Sequence, residues 1–379
     1  MLRLVYWTMT PSAPIDLLLV GAGHAHLHLL RHAQDLVKAG YAVHLLAPAQ
    51  FRYSGVASAT ATGALPTSEG VVNVAALAAK GPVQHRVGTL TELDLEGRQA
   101  RCDDGRWLDY DVISFNIGSA AATHDMVVGD GVLTVKPLEA LAGLDARITA
   151  AVDALADSQR SARVTIVGGG SSSLELAGNV ACRDGVVVNV VEESTTISPL
   201  LSARARSAVL KLLTARGVRV HTDLAVTSVD TDRVVLSDGR VMAHDVVILA
   251  TGLVASPLIQ TLGLAFEGRP GAGIPIRASL QHPDHEEVYA AGDCSHFLPR
   301  PLLRIGVYGV RQGPVLLAAL VARATGGEAP QFHPQREVLQ ILDLGGGYGL
   351  ATRGRWWWMG RGPLRLKRLV DRRWLAKYV

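Results

Sequence analysis

Short apolar runs that end in glycine alternate along this chain with stretches of helical spacing. Ile15 to Val20 is apolar apart from Asp16, meets Gly21-Ala22-Gly23, and passes into helical spacing from Leu27 to Val37. A continuous apolar run predicts a buried parallel strand, here followed by a tight turn and a helix. The same order returns at Val164-Thr165-Ile166-Val167, followed by Gly168, Gly170 and Ser173, a helix, and the run Val186 to Val191. Around these units the pattern predicts strands over Tyr41 to Leu46, Val83 to Val87, Leu90 to Leu95, Asp111 to Asn116, Val218 to Asp223, Val226 to Asp230, Arg233 to Leu236, Asp245 to Ala250 and Glu287 to Asp293. Hairpins are predicted at Asp103-Asp104-Gly105 and Asp238-Gly239, where Asp-Gly pairs suit tight turns. Helices are predicted over Leu138 to Ala156 and Leu200 to Arg216, the latter closed by Gly217. Gly306 to Leu320 reads as a loop feeding a helix, and Gly326 to Pro330 as a linker.

Strand, glycine turn and helix form the opening of a dinucleotide-binding βαβ unit. Gly21 and Gly168 allow the turn, and Gly23 and Gly170 let backbone approach a pyrophosphate at the helix N-terminus. The third fingerprint position holds His26 in the first copy and Ser173 in the second. Glu192 ends the second strand of the second copy, where an acid holds a ribose hydroxyl; the first copy has Ala47-Pro48 there. Layout repeats as well, since DVISFNIGS in the first half parallels Asp245 to Gly252 in the second. The expected fold is α/β: two Rossmann-like dinucleotide-binding domains, one inserted in the other, with a small C-terminal α/β cap. Boundaries fall at 14–120 with 245–330 for the first domain, 121–244 for the inserted one and 331–379 for the cap. Two dinucleotides in one chain imply electrons passed between them.

Composition narrows this little, because 379 residues and 48 % apolar content suit ordinary α/β layers. A net charge of +3 gives no reason to expect a nucleic-acid partner. The excess sits in the tail, with nine Lys/Arg against Asp371 alone from Arg353 to Val379. Cys102, Cys182 and Cys294 are far apart, which excludes a sequence-local dithiol or zinc cluster and predicts three small core residues. Residues 1–14 read as a loose start in which Met9 is an alternative initiator, and no run reaches the eighteen apolar residues of a membrane span. His24, His26, His28 and His32 offer only one pair, His28 and His32, on a shared helix face, so no metal is expected.

Taken in order, GAGHAHL, Tyr53-Ser54-Gly55, NIGS, Val135-Lys136-Pro137, GGGSSSLELA, Ala250-Thr251-Gly252, AAGDC and VRQGP resemble the FAD-dependent pyridine nucleotide-disulfide oxidoreductases of the type II NADH dehydrogenase group. The subgroup found joined to or beside selenophosphate synthetase is the most similar. The resemblance spans residues 14 to 378 and implies FAD on the first unit at Gly21 and Gly23, with His24, His26, Tyr53 and Ser54 around it. It implies Asp293 on the ribityl and phosphate side, Gly292 allowing close approach, and Gly118 and Gly252 at the crossings between domains. NADH, or NADPH, would bind Gly168, Gly170 and Ser173 with Glu192 at the adenosine ribose. Glu175 would lie beside the nicotinamide and flavin rings, Lys136 would face the cofactor, and Gln312 would stand near a quinone pocket, although Arg311 replaces a neighbouring glutamine.

The function so implied is hydride transfer from NADH to flavin, then electron delivery to a quinone-type acceptor. Leu366, Leu369, Val370 and Trp374 are expected to share one helix face ringed by basic residues, an interfacial arrangement that places the tail on the inner face of a membrane and the chain in the cytoplasm. A homodimer is compatible with the resemblance. Two other readings stand beside this one: a flavin-holding assembly partner with little NADH turnover, and a soluble electron-carrier reductase.

Overall fold

The computed structural model describes residues 13–378 apart from 124, 159 and 270, so the reading of the first twelve residues, Met9 included, lies outside it. Two five-stranded parallel sheets carry the molecule. The first has the order Val288–Ala290, Val112–Phe115, Ile15–Val20, Tyr41–Ala47, Val83–Val87. Leu17, Leu18 and Leu19 are fully buried in its centre, as a strand covered on both faces requires. The second sheet has the order Leu133–Thr134, Val246–Leu249, Ala162–Val167, Val186–Val191, Arg219–His221. Each sheet has its own hydrophobic core. Ser119–Ala121 pairs antiparallel with Leu253–Ala255, so the two chain crossings run side by side directly after Gly118 and Gly252.

The α/β architecture is the one expected, and several elements differ from the reading in informative ways. Helix His24–Arg31 begins at once after Gly23 and breaks at His32 before Ala33–Lys38. Leu138 to Ala156 is not one helix: a 3-10 turn at Leu138–Leu141 is separated from Leu144–Asp153 by Gly143 at φ +88°. The expected loop at Gly306 is already helix, running Gly306–Thr325 through Pro314. Pro314 forfeits one backbone hydrogen bond, while Gly309 and Gly313 let this helix lie close against His24 and His28 of the first helix. Cys182 is exposed rather than in the core, unlike Cys102 and Cys294.

The C-terminal piece is a three-stranded antiparallel sheet, Gln340–Asp343, Gly349–Arg353 and Trp356–Gly360, followed by helix Arg361–Leu375. The face expected to be apolar is split. Trp374 is 7 % exposed and packs into the first core, whereas Leu369 and Val370 are each 47 % exposed. The buried arc instead carries Pro363, Leu364, Lys367 and Asp371 beside Trp374 and Leu375. Two charged residues took inward positions because each is the other's partner.

Candidate functional site

The first glycine turn is built around Asn116. Gly21 sits at φ +83°, and a Cβ there would come within 2.7 Å of the Asn116 carbonyl oxygen. Gly23 donates its N–H to that carbonyl, while the Asn116 side-chain oxygen accepts from Ala25 N–H at 2.9 Å and His26 N–H at 3.2 Å. Its amide nitrogen donates to Ala291 O at 2.6 Å, tying the turn to the Gly292-Asp293 loop. His26 turns beneath the strand, Nδ1 to Gly21 O at 2.6 Å and Nε2 to Ser114 Oγ at 2.9 Å. Burial lowers its pKa to about 4, so the ring is neutral, with Nδ1–H donating and Nε2 accepting. The third-position histidine thus fastens the turn from below by bonding the backbone.

Above the turn lies a cleft of about 350 Å³ lined by Gly21, Ala22, Gly23, Pro48, Phe51, Asn116, Gly118 and Lys136. The N–H groups of Ala22 and His24 have no protein partner among the described residues. A helix N-terminus with open donors, backbone held close by glycine and a lysine at the rim fit the phosphates of a dinucleotide. Asp293 is joined to the cleft through Ser119, which lines it and donates its Oγ–H to the Asp293 carboxylate at 2.9 Å. Gln312 is buried, and its carbonyl oxygen takes Gly292 N–H at 2.6 Å, so it holds the loop that carries Asp293. Arg304 braces the same loop through the carbonyls of Asp293, Leu253 and Gly271.

The second turn repeats the frame with different fittings. Gly168 sits at φ +104°, and a Cβ there would meet Ala250 O, so Ala250 occupies the place that Asn116 fills in the first unit. Without that side chain, helix Ser171–Val180 keeps its first N–H groups free among the described residues, where Ser173 Oγ is likewise buried with no partner. These open donors fit a second pyrophosphate. Glu192 ends its strand over the turn, one oxygen accepting from Gly169 N–H and the other from Ser194 N–H at 2.8 Å, with a lone pair left on each for ribose hydroxyls. Gly118 and Gly252 have open space where a Cβ would lie.

Glu175 stands where the two units and the cap meet. One carboxyl oxygen accepts from Asp343 N–H of the cap at 2.8 Å, and Ser58 Oγ of the first unit lies 3.5 Å from the other. Burial raises its pKa to about 7, against the opposing pull of the Lys367 charge. Lys367 pairs with Asp371 at 3.3 Å, and Asp371 accepts from Tyr53 Oη at 2.9 Å. The Tyr53 ring stacks on Trp374 at 4.5 Å between centroids. His24 packs edge-on to Phe51 and Tyr53 and at a tilt to Trp374; its pKa falls to about 3 through burial and the nearby Lys136 charge. Gly306 faces both the His24 ring and Ser54 Oγ, which a Cβ there would approach to 3.2 and 3.5 Å. Sequence reasoning missed Asn116, Lys367 and Asp371. Asn116 carried one signal, a polar residue ending an apolar strand just before glycine, at the position held by Ala250 in the other half.

Fold and site together define a protein with two Rossmann units, each offering a glycine-turn cradle for a dinucleotide. The chain belongs to the pyridine nucleotide-disulphide oxidoreductase family, whose model matches residues 15–318. It is 28 % identical over 193 residues to the internal alternative NAD(P)H-ubiquinone oxidoreductase A1 of Solanum tuberosum, covering 46 % of this chain and 38 % of that protein. It is 28 % identical over 252 residues to the nitric oxide reductase FlRd-NAD(+) reductase of Aeromonas salmonicida, covering 63 % of this chain and 60 % of that one. The chain therefore spans less than two thirds of the length of these relatives. In fold it is similar to the NDH2 of Plasmodium falciparum solved with NADH, with a TM-score of 0.82 at 12 % identity over 96 % of this chain and 97 % of that one.

Proposed function

We propose that the chain is an FAD-dependent NAD(P)H oxidoreductase that passes a hydride from the nicotinamide to flavin and hands the electrons to a quinone-type acceptor. The observation that carries the reading is the pair of glycine-turn cradles, each with N–H donors at a helix N-terminus that have no partner among the described residues. FAD fits the first, where Gly21, Gly23 and the His24 N–H take the pyrophosphate, Asp293 faces the ribityl side and Lys136 supplies positive charge. FAD supplies the electron-accepting ring; the protein supplies position, dryness and charge. NADH fits the second, on Gly168, Gly170 and Ser173, with Glu192 at the adenosine ribose; a carboxylate there repels the extra phosphate of NADPH. Glu175 and Tyr53 close the junction at which the two rings meet.

The names of the relatives support a quinone as acceptor. Contact with a membrane surface goes with it, through Trp356, Trp358, Leu369 and Val370, all exposed, and the exposed arginines of the last helix. Among the described residues no helix is long and apolar enough to cross a membrane. The test is to release the bound chromophore from purified protein with acid and identify it, then follow NADH oxidation with a short-chain quinone. FAD together with quinone-dependent NADH oxidation is expected. A protein that holds no FAD, even when FAD is added, overturns the reading.

A further inference from the structure

A second cavity, of about 190 Å³, is lined from both hydrophobic cores and contains no residue of either glycine turn. One wall carries Tyr53, packed on the first core, with Ala57, Thr60 and Ala61 of the short helix Ala57–Ala61 or its flank. The other carries Leu138, Leu141, Ala142 and Ala146, of which Leu141 is part of the second core. Ala57 and Ala61 are one helical turn apart and share a face. A cavity of about 150 Å³ takes up a benzene molecule, so this one has room for a single aromatic ring with a short arm. Three charged side chains also line it, and their situations differ. Asp145 is already answered by Arg183, whose guanidinium donates to that carboxylate, to Thr62 O at 3.2 Å and to Thr149 Oγ1 at 2.7 Å. Arg52 makes one long contact, to Thr67 O at 3.4 Å, and has no acid partner among the described residues. The Glu69 carboxylate has no partner among them either, although it lines the same space. Both side chains are partly buried, where a charge without a partner is costly.

We propose that this cavity is a binding site for a small aromatic zwitterion, a free amino acid with a planar side chain. The ring enters between the two walls of small and aliphatic residues, the carboxylate meets Arg52 and the ammonium group meets Glu69. A guanidinium presents a planar fork of donors that matches a carboxylate, and a carboxylate accepts from an ammonium group. The pair of opposite charges selects against singly charged relatives. An anion that meets Arg52 leaves Glu69 unanswered, and a cation that meets Glu69 leaves Arg52 unanswered. Because the walls come from both cores, a bound molecule bridges them and stabilises the folded protein by mass action. Arg52 and Leu138 also line the cleft above the first glycine turn, so the two sites are neighbours.

The test titrates the purified full chain with phenylalanine, phenylacetate and phenethylamine by calorimetry. Phenylalanine is expected to bind one to one, at least tenfold more tightly than either singly charged relative. Arg52→Met should erase the preference for phenylalanine over phenethylamine and keep the preference over phenylacetate. Glu69→Gln should do the reverse, erasing the preference over phenylacetate alone. These crossed losses report which charge each side chain meets, a pattern that general destabilisation does not produce. Ala142→Leu fills the space between the walls and should abolish binding of all three. Should that variant not fold, the Arg52 and Glu69 variants, changed at partly exposed positions, decide the matter by themselves. No binding of phenylalanine to the wild type, equal binding of the three compounds, or preferences unchanged in both charge variants overturns the proposal.

Discussion

Asn116 and Ala250 hold equivalent places at the ends of two equivalent strands, each donating its N–H to the carbonyl of the residue before the glycine turn, Val20 and Val167 respectively. The different side chains make one turn self-satisfied and leave the other open. Asn116→Ala should therefore remove three buried hydrogen bonds, lower stability by about 1–3 kcal/mol and weaken retention of flavin, measured by thermal unfolding and by the flavin-to-protein absorbance ratio. Ala250 suggests that the backbone itself tolerates the change. Glu175 gives a pH signature. Its carboxyl ionises near 4.5 when unfolded and about 7 when folded, so the folded state holds the proton more tightly. The stability from the neutral form is full below pH 4.5 and is lost as the pH rises to 7. In Glu175→Gln, unfolding by urea at pH 5 and pH 8 should show a smaller fall than in the wild type. The glycines and Glu192 were legible in the sequence because turn geometry demands those residue types; Lys367 and Asp371 were not, because their burial depends on a tertiary partner.

The helix Arg361–Leu375 shows what spacing alone does not decide. Its apolar residues allow more than one inward face, and the packing chose the arc containing Trp374, Leu364 and the Lys367–Asp371 pair over the one containing Leu369 and Val370. Trp374→Ala should cost about 3–5 kcal/mol in chemical unfolding, whereas Val370→Ala should stay within about 0.5 kcal/mol. The cap is also gripped from the other side: Gly178 of the Glu175 helix meets Leu344, and a Cβ there would lie 2.4 Å from the Leu344 carbonyl oxygen. Gly178→Ala should push the cap away, with a loss of about 1–3 kcal/mol. Two misread elements have local causes. Gly143 adopts a left-handed conformation that ends the helix reading from Leu138, and Pro314 obscured a helix that close packing at Gly309 and Gly313 sustains.

At the scale of the whole molecule, duplication was the most readable feature, since strand, glycine turn and helix recur with the same register in both halves. The junction was the least readable, because residues as distant as Ser58, Glu175, Asp343 and Asp371 meet only after both sheets and the cap have assembled. The tail's exposed Trp and Arg residues predict salt-sensitive binding to anionic lipid vesicles, measured by co-sedimentation, and its loss when Arg365, Arg368, Arg372 and Arg373 are all changed to Gln. In the proposed function the two cradles hold two dinucleotides in electronic contact. Its most direct measurement is an anaerobic titration of the FAD-loaded protein with NADH, following flavin absorbance. About one equivalent of NADH is expected to bleach the flavin, through the second cradle onto the first. A yellow protein that neither NADH nor NADPH bleaches would contradict it.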